Sequence, residues 1–259
     1  MTDYIFVERN GSIVTLTLNS GRKLNALNMD TWVQLGQAIN KISRDDEVRC
    51  VILRGPDRSA FAAGADIAEF DTVRANSANA KAYGDLVSQT VLAIAACRHP
   101  TIALIHGVCV GGGLEIAGAC DLRICGESSR FGIPINRLGL VVGYPELRLL
   151  IDLIGRTAAL EMLFEGRIMG AAEAKEKGLV NRIVADSEVE EETNRTARNI
   201  AAGAPLVARW HKKFAQRLRE PEPLTPVELD EIYDCYDTED YRVGRQAFLD
   251  KKTPEFQGK

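Results

Sequence analysis

Three consecutive glycines at positions 111–113 constrain the fold of this 259-residue chain more than any other feature of its sequence. They follow the apolar, strand-like run 101–105 and lead into a helix-like segment that carries Glu115. A glycine turn between a strand and a helix lets a ligand approach free backbone N–H groups, which favour negative charge. If that charge develops only during a reaction, the turn is an oxyanion hole with Glu115 beside it as a base.

A second segment has the same organisation. The sequence Ser-Ala-Phe-Ala-Ala-Gly-Ala-Asp-Ile-Ala-Glu at 59–69 follows the β-rich run 48–53 and precedes a helix-like stretch. Either glycine turn alone is also typical of a turn that simply packs a helix against a strand. Two such turns together can direct two N–H donors at one oxygen, which indicates chemistry on a carbonyl compound.

These segments resemble motifs of the enoyl-CoA hydratase/isomerase (crotonase) superfamily. Phe-Ala-Ala-Gly-Ala-Asp-Ile at 61–67 is similar to its first oxyanion motif, and Val-Gly-Gly-Gly-Leu-Glu at 110–115 is similar to its second. The similarity covers essentially the whole chain, because it continues through 22–27, 120–123, 131–134, 172–180 and 248–256.

The resemblance implies an α/β fold, a crotonase-like spiral of strand-strand-helix repeats with a C-terminal helical trimerisation region. We assign residues 1–195 to a core that binds acyl-CoA and 196–259 to a helical region for oligomer contacts and CoA capping. The hydrophobic pattern separately predicts an α/β core with largely parallel pairing. Its predicted elements are a hairpin at 4–18, strands at 48–53, 101–105, 122–125 and 179–184, and helices from Asn28 or Asp30 and at 76–97, 112–119 and 156–166.

The resemblance also implies roles for individual residues. The backbone N–H groups of Ala65 and Gly112 would stabilise the enolate oxygen of a thioester, and Glu115 would be a catalytic carboxylate. Asp66 has an alternative role as the cap of the following helix. The implied substrate-binding residues are Lys23, Leu24, Ala26, Ala63, Asp66, Ile67, Ala68 and Ile135, together with Phe248 and Lys251, which we expect to reach a neighbouring subunit's ligand.

The chain departs from the family's hydratases at the second catalytic glutamate. That glutamate lies twenty residues after the first, where this sequence has Ile135, and an isoleucine cannot transfer a proton. The segment 142–150 also differs from the family pattern and carries new polar residues. One hypothesis is that Glu146 or Tyr144 replaces the missing acid. The other is that Glu146 and Arg148 form a partly exposed ion pair of little energetic value.

The sequence therefore predicts an acyl-CoA enzyme that stabilises a thioester enolate in an oxyanion hole. Enoyl-CoA hydration, or dehydration in reverse, is the leading reaction. An enoyl-CoA isomerase or acyl-CoA decarboxylase is the first alternative, because Ile135 leaves one family carboxylate. A non-catalytic acyl-CoA-binding scaffold is the alternative of another class. We expect no metal or further cofactor, because coenzyme A is part of the substrate. We expect His106 to be a structural hydrogen-bonding residue, and we expect His99 and His211 to face water.

Composition limits the partners and the location. A net charge of −4 argues against a nucleic-acid surface, and no apolar run approaches membrane-spanning length. The six cysteines form no CxxC pair, which is typical of a reducing compartment. The first residues resemble neither a secretory signal nor a transit peptide. We therefore expect a cytoplasmic protein. The family resemblance further implies that it binds an acyl-CoA substrate and forms a homotrimer or a dimer of trimers.

Overall fold

The computed structural model describes residues 2–259 of the chain, which form two β-sheets surrounded by helices. The strands are β1 (Ile5–Asn10), β2 (Ile13–Leu18), β3 (Cys50–Arg54), β4 (Ala60–Ala62), β5 (Thr101–Ile105), β6 (Val108–Val110), β7 (Leu122–Gly126), β8 (Arg130–Gly132), β9 (Met169–Gly170) and β10 (Arg182–Val184).

The helices alternate with these strands and then dominate the C-terminal part. They are α1 (Met29–Ile42), α2 (Phe70–Val73), α3 (Ser77–Ala95), α4 (Gly112–Ala119), α5 (Tyr144–Glu165), α6 (Ala171–Glu176), α7 (Val189–Ala202), α8 (Pro205–Arg217), α9 (Pro226–Asp230) and α10 (Glu239–Asp250). Short 3-10 turns lie at Lys23–Asn25, Ile67–Glu69, Ile135–Leu138 and Glu231–Asp237.

The larger sheet has the strand order β1-β2-β3-β5-β7-β10. The hairpin of β1 and β2 is its antiparallel pair, and the remaining neighbours are parallel, which confirms the predicted α/β core. The smaller sheet has the order β4-β6-β8-β9, in which β4, β6 and β8 are parallel. The hydrophobic pattern did not predict this second sheet, because its strands are only two or three residues long and show no alternation.

The chain visits both sheets in turn. It passes through β3, β4 and then α3, through β5, β6 and then α4, and through β7, β8 and then α5. Each repeat therefore places one strand in each sheet before a helix, so the predicted strand-strand-helix spiral is confirmed. Because β4 and β6 are parallel neighbours, the segments that follow them leave the small sheet at the same edge.

Helices α1 and α3 pack against each other over the core. Helix α1 begins where its sequence predicts, because the Asn28 side chain accepts a hydrogen bond from the Thr31 N–H at 2.8 Å. Trp32 on α1 and Tyr83 on α3 are buried at the end of this helix pair that faces the small sheet. Each helix thus buries an apolar face at helical spacing, with Leu35 and Ile39 on α1 and Val87, Val91 and Ile94 on α3.

Two predictions about local structure were wrong. Helix α5 begins at Tyr144, twelve residues before the predicted start, because Gly143 and Pro145 form a helix N-terminus and Gly155, with φ +75°, interrupts the pattern. His99 is only 1% exposed instead of facing water. The His99 Nε2 lies 3.2 Å from the Ile42 carbonyl oxygen, and Lys212 of α8 donates to the His99 carbonyl oxygen at 3.1 Å.

The proposed division at residue 195 falls within α7. Val189 and Ala197 of this helix pack on the larger sheet, in an apolar cluster with Ile52 and Ile102. The helices that follow, α8 to α10, expose several large apolar side chains. In residues 2–259, no helix is both long enough and apolar enough to cross a membrane.

Candidate active site

The two glycine turns touch each other at the edge of the small sheet. Gly64 follows β4 with φ +97°, and Gly111 follows β6 with φ +54°. A Cβ atom added to Gly64 would lie 3.2 Å from the Val110 carbonyl oxygen and 3.6 Å from the Gly112 nitrogen. Glycine is therefore required at Gly64 and Gly111 by conformation, and the close packing brings the next residues of both turns together.

The backbone N–H groups of Ala65 and Gly112 are free at this point. Leu27 donates to the Gly64 carbonyl at 2.7 Å and accepts from the Asp66 N–H at 2.8 Å, so the Ala65 N–H is turned to the opposite side. Gly112 is the first residue of α4, where an N–H has no partner within the helix. Among residues 2–259, neither N–H donates to a protein acceptor.

Ala65 and Gly112 line one cavity of about 470 Å³. Much of its wall is apolar, with contributions from Trp32, Phe70, Val87, Ile135, Leu138 and Val142. The titratable side chains in the lining are Glu115, Glu146, Arg74 and Tyr83. Two free amide donors, two carboxylates and a guanidinium thus share one largely apolar space, which strengthens electrostatic interactions inside it.

Glu115 lies in the first turn of α4, next to the Gly112 amide. Burial first, and the nearby Glu146 charge second, raise the pKa of its carboxyl group to about 7, against the opposing effect of the Arg74 guanidinium. A carboxyl group with a pKa near neutrality can both donate and accept a proton at physiological pH.

Glu146 is the second carboxylate in the cavity. It lies in the first turn of α5, is only 6% exposed, and accepts a hydrogen bond of 2.5 Å from the Ser88 hydroxyl. Its other carboxylate oxygen folds back over Gly143, where an added Cβ would lie only 2.3 Å away. The hydrogen bond from Ser88 therefore holds the Glu146 carboxyl group in the cavity wall.

The structure separates the two hypotheses about segment 142–150. The Tyr144 side chain is 90% exposed and lies outside the cavity lining, so only Glu146 of the two candidate acids faces the cavity. The predicted pair of Glu146 with Arg148 was wrong. Arg148 instead lies 3.6 Å from Asp152 and donates to the Arg219 carbonyl oxygen, because it points away from the cavity toward α8.

Ile135, at the position where the resemblance places the second glutamate, lies in the cavity wall beside Pro134. It is partly buried and packs against the main apolar core. This position therefore contributes an apolar surface, and the second carboxylate of the cavity enters from α5 instead.

The predicted substrate-binding residues fall into two groups. Ala63, Ile67 and Ile135 line the cavity. The second group lies outside the cavity lining and consists of Lys23, Leu24, Ala26 and Ala68. These residues belong to the segments 22–27 and 66–69, which are joined by the hydrogen bonds of Leu27 with Gly64 and Asp66.

Asp66 has the structural role that was its alternative. Its carboxylate accepts from the Ala68 N–H at 3.1 Å and lies 3.3 Å from Arg22 Nε, so it caps the 3-10 turn Ile67–Glu69. The neighbouring turn has Leu24 and Asn25 at positive φ, and the buried Asn25 amide holds it by donating to the carbonyls of Leu18 and Phe61.

Phe248 and Lys251 lie at the end of α10, outside the cavity lining of this chain. The Phe248 side chain is 84% exposed. Their contact with the ligand of a neighbouring subunit stays a prediction.

Sequence reasoning missed Ser88, Arg74, Tyr83 and Gly143. Ser88 and Tyr83 lie on α3, where a serine or tyrosine on an amphipathic helix carries no specific signal. Arg74 follows the short helix α2, whose position over the cavity depends on long-range packing. Glu146 was noticed only because its segment departs from the family pattern.

Comparison with known proteins gives one consistent family. The model of the enoyl-CoA hydratase/isomerase family matches residues 8–259. The chain is 32% identical to a short-chain-enoyl-CoA hydratase of Clostridium acetobutylicum, over 97% of this chain and 96% of that protein. It is 31% identical to a crotonyl-CoA hydratase of Syntrophomonas wolfei, over 97% of each protein.

Solved structures agree with this result. An enoyl-CoA hydratase/carnithine racemase from Magnetospirillum magneticum is 49% identical, with a TM-score of 0.98 over 100% of this chain and 97% of that one. An enoyl-CoA hydratase from Bacillus anthracis is 30% identical, with a TM-score of 0.90 over 99% of this chain and 100% of that one. The similarity therefore extends through the core and the C-terminal helices alike.

Proposed function

Because the chain belongs to the enoyl-CoA hydratase/isomerase family and is an enzyme of the hydratase (lyase) type, we propose that it adds water across the double bond of a 2-enoyl-CoA. The observation that carries this proposal is that Glu115 and Glu146 line the same cavity as the free N–H groups of Ala65 and Gly112. Hydration needs a base, an acid and an oxyanion hole around one acyl group, and these residues supply all three.

The oxyanion hole acts on the thioester oxygen. When hydroxide adds to the β-carbon, electron density moves through the α-carbon onto that oxygen and forms an enolate. The N–H groups of Ala65 and Gly112 donate hydrogen bonds to the oxygen, and these bonds strengthen as the charge develops. Removing one well-placed donor of this kind typically costs about 100- to 1,000-fold in rate.

The two carboxyl groups handle the protons. Glu146, as a carboxylate, accepts a proton from water while the water oxygen bonds to the β-carbon. Glu115 is protonated up to about pH 7 and gives its proton to the α-carbon as the enolate collapses. The proton on Glu146 then returns to Glu115 through a second water, which restores the starting state, so the net change is the addition of one water molecule.

Isomerisation and decarboxylation were the alternatives, because Ile135 removes the family's second carboxylate. Each of these reactions requires only one carboxylate, whereas the cavity contains two, and Glu146 therefore favours hydration. A non-catalytic scaffold would have no use for two carboxyl groups in one apolar cavity with free amide donors.

Product analysis tests the proposal. We expect purified protein to remove the enoyl-thioester absorbance of crotonyl-CoA and to produce a thioester heavier by one water molecule. A product of unchanged mass with a shifted double bond would replace hydration with isomerisation. Loss of carbon dioxide from a malonyl-type thioester, with crotonyl-CoA untouched, would establish a decarboxylase, and tight binding of all these thioesters without turnover would establish a scaffold.

We also propose the assembly and setting that accompany this function. Exposed apolar side chains of α9 and α10, such as Val227, Phe248 and Leu249, support a homotrimer or a dimer of trimers. Six free cysteines support a reducing, cytoplasmic location. We propose that the acyl-CoA thioester is the only ligand required, with no metal, further cofactor, nucleic acid or membrane involved.

A further inference from the structure

Arg74 is a cation in the cavity that the hydration mechanism does not use. It follows helix α2, and its guanidinium carbon lies 4.5 Å from the centre of the Phe70 ring and 4.2 Å from the centre of the Tyr83 ring. Cation–π contacts of this kind hold a guanidinium plane while leaving its N–H edges available. The side chain is therefore fixed in the cavity wall by its two aromatic neighbours.

The guanidinium has no ionic partner in this chain. Its Nε is buried without a hydrogen-bond partner, and in residues 2–259 no carboxylate oxygen lies within 4.0 Å of its nitrogens. Other arginines of the chain pair closely, as Arg54 does with Glu190 at 2.9 Å and Arg182 with Glu192 at 2.7 Å. A guanidinium that lines the cavity without an acidic partner is free to bind an anionic group of a ligand there.

Neutralising the two cavity glutamates does not account for Arg74. Glu146 accepts a hydrogen bond from Ser88 instead, and neither glutamate is within ion-pair distance of the guanidinium. The pKa of Glu115 is still raised to about 7, so Arg74 does not hold Glu115 in its ionised form. The planar guanidinium of an arginine matches the geometry of a carboxylate that it binds through both oxygens.

We propose that Arg74 binds a carboxylate on the acyl group, so that the preferred substrates are 2-enoyl-CoA thioesters with a second, distal carboxylate. This inference rests on the proposed function, since it places the thioester oxygen at Ala65 and Gly112 and the acyl chain in the same cavity. Arg74 is then a specificity-determining residue, and the reaction adds water to a dicarboxylic enoyl thioester.

Binding of saturated thioesters tests the inference without any turnover. Glutaryl-CoA carries the distal carboxylate, and hexanoyl-CoA has a similar length without charge. By isothermal titration calorimetry, we expect Arg74→Met to weaken glutaryl-CoA binding by about 10- to 100-fold and hexanoyl-CoA binding by less than about threefold. Arg74→Lys, which keeps the charge but not the fork, should lose less affinity for glutaryl-CoA than Arg74→Met.

Arg44→Met is the matched control. Arg44 is exposed after the C-terminal end of α1, whereas the cavity lies at the N-terminal part of that helix, beside Trp32. This variant removes the same charge and should change neither affinity. Equal weakening of both thioesters by Arg74→Met, or no weakening of either, would overturn the role of Arg74. If Arg74→Met does not fold, Arg74→Gln takes its place, because it also removes the charge, and wild-type binding of glutaryl-CoA by Arg74→Gln would overturn the role of Arg74 equally.

The two proposals fail in different ways. Hydration of crotonyl-CoA by a protein whose Arg74→Met variant shows no selective loss for glutaryl-CoA would leave the hydratase standing and remove Arg74 from substrate selection. A selective loss of glutaryl-CoA affinity without hydration of either crotonyl-CoA or glutaconyl-CoA would keep the carboxylate site and overturn the proposed reaction.

Discussion

The surroundings of Glu115 determine both the pKa of its carboxyl group and the energetic cost of ionising it. The apolar cavity and the Glu146 charge raise the pKa of its carboxyl group to about 7, against the partial opposition of Arg74. The same desolvation that makes ionisation costly keeps a proton available for transfer at neutral pH. Because Glu115 and Glu146 interact, the apparent pKa values measured for the site belong to the pair.

The protonation of this pair predicts the pH dependence of hydration. The active form holds one proton on the two carboxyl groups, so kcat/KM for crotonyl-CoA should fall as the pH rises through about 7, where that proton is lost. In Ser88→Ala, the loss of the 2.5 Å hydrogen bond should leave the Glu146 side chain less well positioned and lower kcat/KM at every pH, without moving this decrease.

Rates measured from pH 5 to 9 for both proteins provide the test. A rate for Ser88→Ala equal to the wild-type rate would mean that Ser88 does not position Glu146. A wild-type rate that continues to rise above pH 8 would show that the fully ionised pair is the active form.

Among the secondary-structure elements, α5 differs most from the sequence expectation. Its start at Tyr144 brings Glu146 to the cavity, and Gly143 leaves the space into which the Glu146 carboxylate folds. The sequence shows the glycine and proline that permit this start, but the hydrophobic pattern is broken at Gly155 and indicates only the second half of the helix. The position of the second carboxylate therefore required the structure.

Gly143→Ala should disable the site without harming the fold. Gly143 has φ −65°, which alanine adopts readily, but the added Cβ would lie 2.3 Å from the Glu146 carboxylate oxygen and displace that side chain. We expect kcat/KM to fall at least about tenfold, a part of the effect of a lost acid–base group, while Tm stays within a few degrees of wild type. A double variant that combines Gly143→Ala with Glu146→Gln should be no slower than Glu146→Gln alone, because both changes act on the carboxyl group of Glu146.

Gly118→Ala is a suitable control in the neighbouring helix α4, since its Cβ would make only an ordinary contact of 3.6 Å with Leu153. It should keep wild-type activity. Full activity in Gly143→Ala, or multiplicative losses in the double variant, would contradict the described position of Glu146.

For the whole molecule, the sequence predicted the architecture better than the details of the site. The glycine turns, the strands of the larger sheet and the faces of α1 and α3 follow from local patterns, and the family resemblance supplied the spiral. The small sheet does not follow from local patterns, because strands as short as Ala60–Ala62 are defined by pairing with distant segments. Arg74 and Ser88 reach the cavity through tertiary packing that no local pattern encodes.

The raised pKa of Glu115 also has a consequence for global stability. In the unfolded chain its pKa is near 4.5 and in the folded protein about 7, so between these values the folded state binds more protons. The free energy of unfolding should therefore decrease as the pH rises from about 4.5 to 7, by at most about 3 kcal/mol from this residue. Glu115→Gln cannot ionise and should avoid this loss.

Thermal unfolding of both proteins at pH 5 and pH 8, at one protein concentration, measures this effect. The Tm of Glu115→Gln relative to wild type should be higher at pH 8 than at pH 5. A difference that is the same at both pH values would show that Glu115 is not desolvated in the folded enzyme.

The central claim is that Glu146 on α5 supplies the carboxylate that Ile135 cannot. The most direct test is kcat/KM for crotonyl-CoA in Glu146→Gln, beside Glu115→Gln and the exposed control Tyr144→Phe, with butyryl-CoA affinity measured for each. We predict losses of about 100- to 10,000-fold for both glutamate variants, wild-type rates for Tyr144→Phe, and near wild-type butyryl-CoA binding throughout. A Glu146→Gln enzyme that hydrates crotonyl-CoA at the wild-type rate, while Glu115→Gln does not, would contradict the claim.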